Sequence, residues 1–189
     1  MAFDGTTVAA VTKELTEQLS GGRIAKIAQP ETDELLFTIK TPQGQKRLYI
    51  SASASLPLIY LTNVNKPSPM NAPNFCMLLR KHIGNGRITR ITQPGLERII
   101  QIQIEHLDDL GDLCRKTLVI EIMGKHSNII FCDADGRIID SIKHISAQMS
   151  SVREVLPGRP YFIPDTMGKK NPLTVDADTF IFTLKEKPC

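Results

Sequence analysis

The sequence predicts an α+β fold, mostly β: a pseudo-twofold antiparallel β-sandwich with flanking helices. Three observations lead there. A nine-residue signature is written twice, Gly22-Arg23-Ile24-Ala25-Lys26-Ile27-Ala28-Gln29-Pro30 returning as Gly86-Arg87-Ile88-Thr89-Arg90-Ile91-Thr92-Gln93-Pro94, an offset of 64 residues. Each copy is preceded by apolar residues at helical spacing and followed by three short apolar runs of strand length. A four-stranded half with a single helix would leave an apolar sheet face open, so the halves are expected to close on each other.

In chain order, Val8, Val11, Leu15 and Leu19 mark the first helix, with Thr6 or Thr7 as its N-cap and Gly21-Gly22 as its stop. The signature follows as a strand, and its Ile24/Ile27 spacing of three breaks strict alternation in the same way as Ile88/Ile91. A bulge and burial on both faces each account for that spacing. Runs at 34–40, 46–52 and 58–62 complete the first half. Lys66-Pro67-Ser68-Pro69-Met70-Asn71-Ala72-Pro73 is a stiff link between halves. Phe75, Leu78, Leu79 and Ile83 mark the second helix, with Pro73 tolerated at its first turn and Gly84-Asn85-Gly86 at its end. Runs at 97–105, 115–122 and 128–133 complete the second half. In the first of these, Ile100, Ile102 and Ile104 alternate with Gln101, Gln103 and Glu105, which predicts one buried and one wet face. Asp133-Ala134-Asp135-Gly136 turns into a last strand at 137–144, and the region around Pro157, Pro160 and Pro164 is loop-rich.

A length of 189 residues with 41% hydrophobic and 23% charged residues is an ordinary globular balance, and disorder is not expected. A net charge of +3 spread along the chain is not the concentrated basic footprint of many nucleic-acid-binding proteins. With 5% aromatic residues and no Trp, a base-stacking platform is disfavoured. Cys76, Cys114, Cys132 and Cys189 lack paired metal spacing and read as reduced thiols of a cytosolic protein. No signal peptide and no bilayer-length apolar run is present, so a cytoplasmic protein without membrane contact is expected. His82, His106, His126 and His144 show no metal-ligand spacing, and no nucleophile elbow or phosphate loop occurs. An enzyme is not expected, nor a metal or cofactor.

Duplicated copies serve as each other's control. Where the second differs in chemistry, the shared fold did not require the difference. Aligning Glu34-Leu35 with Glu97-Arg98 makes Arg98 a gained cation at a strand entry, available to phosphate or a base edge, or to a neighbouring carboxylate. Aligning Ser51–Ser55 with Glu121-Ile122-Met123-Gly124-Lys125-His126-Ser127-Asn128 turns a bland hairpin into a loop with a glycine, a cation, an imidazole and an amide. That loop can serve phosphate, and its Gly, Ser and Asn can equally serve turn geometry.

Met1-Ala2-Phe3-Asp4-Gly5, the run Phe75-Cys76-Met77-Leu78-Leu79-Arg80-Lys81-His82-Ile83, Glu97-Arg98, Glu121 through Asn128 and Val155-Leu156-Pro157-Gly158 together resemble the N-terminal domain of the NFACT family, in its bacterial branch long described in Firmicutes as fibronectin-binding proteins. The resemblance covers nearly the whole chain. It implies an NFACT N-terminal domain at 1–172 and the start of a following segment at 173–189, in a fragment of a longer protein. It also implies a part in ribosome-associated quality control, in which a large ribosomal subunit obstructed by peptidyl-tRNA is bound and alanine tRNA is recruited, so that the stalled chain receives a C-terminal alanine tail without mRNA.

By that resemblance the tRNA-binding residues are Glu97, Arg98, Glu121, Ile122, Met123, Gly124 and Lys125, touching the anticodon-arm region, with Asp4, His126 and Asn128 in support. The family's usual acid is Asp where this chain has Glu97, one methylene longer. The family domain is also similar to the N-terminal fold of formamidopyrimidine-DNA glycosylases. Those enzymes use an N-terminal proline amine, whereas this chain has Ala2 and Phe3, so glycosylase chemistry is not implied. The alternative reading is a surface adhesin for fibronectin or fibrinogen, which the missing export signal opposes.

Overall fold

The computed structural model describes residues 4–149 and 153–163. Its elements are α1 (Gly5–Leu19), β1 (Arg23–Ala28), β2 (Glu34–Thr41), β3 (Gly44–Ser51), β4 (Leu58–Thr62), α2 (Asn74–Ile83), β5 (Arg87–Thr92), β6 (Ile99–Leu107), β7 (Leu113–Glu121), β8 (Asn128–Cys132) and β9 (Ile138–Ser141). Both expected helices and all nine expected strands are present. The boundary expected at 172/173 and the thiol of Cys189 lie outside the described residues.

The first helix is capped earlier than expected. Asp4, not Thr6 or Thr7, is the N-cap, and its carboxylate accepts from the Thr7 N–H at 2.7 Å. That hydrogen bond holds the Asp4 carboxyl below its ordinary value. An aspartate three residues before an orphan N–H serves it as well as a threonine would, so composition alone does not place the start. Pro73 stands at the N-cap of α2, one position before the first turn.

The nine strands form one antiparallel sheet in the order β4-β3-β2-β1-β5-β6-β7-β8-β9. The expected pair of separate sheets is thus corrected: the halves are hydrogen-bonded to each other through β1 and β5, where Arg23 stands opposite Arg87. Around that point the bonds come in symmetric pairs. Gly21 N donates to Ile88 O at 2.7 Å and Asn85 N to Ile24 O at 2.9 Å; Ile88 N donates to Gly22 O and Ile24 N to Gly86 O, both at 2.8 Å. Each pair exchanges residues at the 64-residue offset, so the repeated signature builds the pseudo-twofold seam. Its glycines are needed for close approach. A Cβ on Gly22 would lie 2.6 Å from Ile39 Cγ2, and one on Gly86 2.8 Å from Ile104 Cγ2.

Register shifts between Ile24 and Lys26, and again between Ile88 and Arg90, identify the broken alternation as a β-bulge in both copies. Beyond each bulge the isoleucines return to the inner face. There Ile24, Phe37, Ile39 and Leu48 of the first half share one core with Ile88, Ile102, Ile104 and Leu118 of the second. The single sheet therefore closes its inner face on itself, with both helices contributing Val8, Leu15, Leu19, Phe75, Leu79 and Ile83. Each helix crosses the seam, α1 lying against β5 and α2 against β1. A second cluster on the outer side, Ile99, Val119, Met123, Ile130 and Cys132, is covered by Val155 and by the half-buried Tyr161 and Ile163. Cys76 and Cys132 are buried and Cys114 is half-buried, all three as free thiols. Burial pushes the Cys132 thiol up to about 12.

Candidate nucleic-acid interface

The pairing register changes which residues of the two copies correspond. Ile24 pairs with Ile39 whereas Ile88 pairs with Ile104, so β6 is offset from β2 by 65 residues, one more than β5 from β1. Glu97-Arg98 therefore matches Thr32-Asp33, and the alignment with Glu34-Leu35 is corrected. Two hydrogen bonds mark the equivalence. Gln29 Nε2 donates to Thr32 O at 3.1 Å, and Gln93 Nε2 to Glu97 O at 2.8 Å. The Ala52 N–H donates to Asp33 O at 2.8 Å, and the Ile122 N–H to Arg98 O at 2.8 Å. Between copies the position changes sign, from Asp33 to Arg98, on a conserved backbone frame.

Three segments converge here. The 93–98 loop is joined to the end of β7 by the Ile122 to Arg98 bond. It is joined to the start of α1 by Gln93, whose amide bridges Glu97 O and, at 2.9 Å, Gly5 O. Gly5 must be glycine for this approach, because a Cβ would stand 2.1 Å from Leu96 O. These bonds join the segments that carry Asp4, Glu97, Arg98 and the 124–126 turn. Arg98 precedes the first residue of β6 and is exposed, so strand parity does not turn it inward. Among the described residues its side chain has no ion-pair or hydrogen-bond partner, and the neighbouring-carboxylate alternative is not realised. Glu97 beside it is half-buried, and Leu96 is 66% exposed at the loop tip.

The glycine loop divides into two layers. Gly124–His126 forms a single 3₁₀ turn, with Lys125 and His126 exposed and Gly124 at φ +57°. Beneath it, Glu121, Ile122 and Met123 are buried. The Met123 N–H donates to Ser127 Oγ at 2.9 Å, while Asn128 Oδ1 accepts from the N–H groups of Ile129 and Lys143. Asn128 Nδ2 donates to Lys143 O at 3.0 Å. Ser127 therefore bonds across the turn and Asn128 ties the chain just after it to Lys143, the turn-geometry role of the two left open by the sequence. Asn128, Glu121, Ile122 and Met123 cannot present side chains to a ligand in this arrangement. Their placement is that of a foundation for Gly124, Lys125 and His126.

Glu121 has its own partners. Its carboxylate receives the Arg153 guanidinium and, at 2.8 Å, the Tyr161 hydroxyl, with no side-chain exposure of its own. Burial raises its carboxyl above the ordinary value, with Arg153 and Tyr161 opposing that rise. The counterpart in the first copy is Ser51, which pairs with Glu34 as Glu121 pairs with Ile99. Gln93, Gly5, Arg153 and Tyr161 are the residues that the sequence did not single out. Gln93 carried a signal as the repeated glutamine before proline, and Gly5 only as the last residue of the Met1–Gly5 motif. Among the described residues no group of three or more His, Cys, Asp or Glu is placed to hold a metal ion, and no helix is long and apolar enough to cross a membrane.

The chain is similar to known proteins over most of its length. The family described as NFACT N-terminal and middle domains matches residues 4–188. The Rqc2 homolog RqcH of Bacillus subtilis is 42% identical over 182 residues, which is 96% of this chain and 32% of the relative. The ribosome quality control complex subunit 2 of Saccharomyces cerevisiae is 29% identical over 127 residues, 67% of this chain and 11% of the relative. The crystal structure of the N-terminal domain of fibronectin-binding protein PavA from Streptococcus pneumoniae superimposes with a TM-score of 0.84 at 34% identity, covering 99% of this chain and 70% of that one. The chain spans about a third of the length of the bacterial relative.

Proposed function

The chain belongs to the NFACT family, and on that premise we propose that it is the tRNA-contacting module of a ribosome-associated quality control factor. In this reading the whole protein acts in the cytoplasm, engages a large ribosomal subunit that carries peptidyl-tRNA, and recruits alanine tRNA for C-terminal alanine tailing of the stalled chain. The names of the bacterial and yeast relatives support the quality-control setting. The observation that carries the tRNA part is the junction of the two segments that depart from the duplication, made by the Ile122 to Arg98 bond.

On this surface Arg98 and Lys125 supply exposed cations with no ion-pair partner among the described residues, and Glu97 supplies an acceptor beside Arg98. An acid beside an arginine accepts from base amino groups and donates to base or phosphate oxygens, which suits exposed nucleotides of a loop. Asp4 and His126 flank them. Glu121, Ile122, Met123 and Asn128 hold the turn from below. The experiment is crosslinking of the full-length protein to RNA in cells followed by sequencing, with alanine tRNA as the expected recovered species. Recovery of no tRNA by a protein that remains on large subunits contradicts it.

A second reading, adhesion to fibronectin, is favoured by the name of the pneumococcal protein. Binding of fibronectin by intact cells, lost on deletion of the protein and with no RNA crosslinked to it, would establish that reading instead.

A further inference from the structure

The outer face of the sheet at the seam carries charge that the core does not require. Because Ile24, Ile39, Ile88 and Ile104 point inward, the residues next to them in each strand point outward. Register places Lys40, Arg23, Arg87, Glu105 and Arg115 side by side across β2, β1, β5, β6 and β7. On one side of this row lie Arg47, Thr38 and Lys26, and on the other Arg90, Gln103 and Thr117. Glu105 is the one carboxylate in these rows, and Arg115 already binds it at 3.1 Å. Arg23, Lys26, Lys40, Arg87 and Arg90 are exposed, and among the described residues none has an ion-pair or side-chain hydrogen-bond partner.

Like charges directly opposite one another across strands destabilise a sheet. Here Arg23 faces Arg87 at the pseudo-twofold point with Lys40 beside it, and the duplication repeats the arrangement as Arg23/Arg87 and Lys26/Arg90. With neighbouring strands about 4.8 Å apart, the five-strand row is about 19 Å long. It lies six residues along β6 from Ile99, about 20 Å from the Arg98 surface. The helices pack on the inner face, and the 153–163 segment covers the outer face elsewhere, so among the described residues nothing covers this patch.

We infer that this cationic face is a second RNA-binding surface, which takes the phosphate backbone of double-helical RNA. The rows hold no aromatic side chain on which single-stranded bases could stack, whereas duplex RNA is held by shape and phosphate contacts that guanidinium and ammonium groups supply. The inference goes beyond the tRNA surface, and its failure leaves that reading standing.

The test measures binding of the full-length protein to a loop-free RNA duplex of about 16 base pairs over a range of salt. A variant with Arg23→Ala, Lys26→Ala, Arg87→Ala and Arg90→Ala should lose at least about tenfold in affinity, and its log–log salt slope should shrink by about 3 to 4, close to one per lost phosphate contact. Its melting temperature should hold or rise. Replacement of both seam arginines by lysine should retain most binding, and Arg98→Ala with Lys125→Ala should leave duplex affinity unchanged. Unchanged affinity and slope in the fourfold variant would overturn the inference, as would an equal loss in the Arg98 and Lys125 variant. So would a protein that ignores the duplex but binds phosphatidylserine vesicles through these same residues.

Discussion

The Ile122 N–H donates to the Arg98 carbonyl at 2.8 Å, and the Ala52 N–H makes the same bond to Asp33 in the other half. The bond uses only backbone, so it holds whichever side chain stands at the position. Across the duplication the fold has accommodated an aspartate and an arginine there.

Arg98→Asp should therefore leave stability within about 0.5 kcal/mol of the wild type, as expected of an exposed position outside a network. Chemical denaturation read by circular dichroism checks this. A loss of several kcal/mol would mean that Arg98 holds the loop.

Glu121 should behave in the opposite way. Its carboxylate is fully covered and shared by Arg153 and Tyr161. Glu121→Ala leaves the Arg153 guanidinium, 10% exposed, without its counter-ion. Breaking one side of such a pair costs about 3–5 kcal/mol. Replacing both, with Glu121→Leu and Arg153→Met, should cost less than Glu121→Ala alone. Thermal unfolding of the two variants and the wild type measures the difference.

The two glycines of the site should separate clash from strain. Gly5→Ala would drive a Cβ against Leu96 O, costing about 1–3 kcal/mol and displacing the Arg98 loop, so RNA recruitment should weaken with stability. Gly124→Ala meets open space, so only its φ of +57° is penalised, by about 1–2 kcal/mol. Paired melting and RNA-binding measurements distinguish the cases.

Acid should loosen the fold through two imidazoles. Burial holds His82 and His106 below the ordinary imidazole value, and the Lys116 ammonium adds to this in both. Lys116 Nζ lies 3.2 Å from His106 Nε2, and Nδ1 lies 3.2 Å from Leu107 O, which fits a neutral ring that accepts from lysine. A depressed folded value means that the unfolded chain takes up the proton first. The contribution is complete above about pH 6.5 and is lost as pH falls through the lower folded values. The melting temperature should fall from pH 7 toward pH 5, and His106→Gln should flatten that fall.

Much of the fold could be read from local pattern because its causes are local. Ile100, Ile102 and Ile104 alternate as a half-wet strand must, and the Ile24/Ile27 spacing is what a bulge produces. The correspondence of copies was harder. The connection from Ile91 to Ile102 is one residue longer than that from Ile27 to Phe37, and the recurring glutamates at 34 and 97 disguised it. The site was half legible. Arg98, Gly124 and Lys125 stand out by comparison of copies, whereas the partners of Glu121 lie 32 and 40 residues away, where no periodicity reaches.

The most direct test of the account is crosslinking of tRNA to full-length protein carrying Arg98→Ala, at matched expression and large-subunit association. Recovery of alanine tRNA should fall about 5- to 150-fold, the range of one lost specific contact of about 1–3 kcal/mol. Recovery equal to that of the wild type, in a protein that folds and associates normally, would contradict the claim that the second copy's departures from the duplication form the tRNA surface.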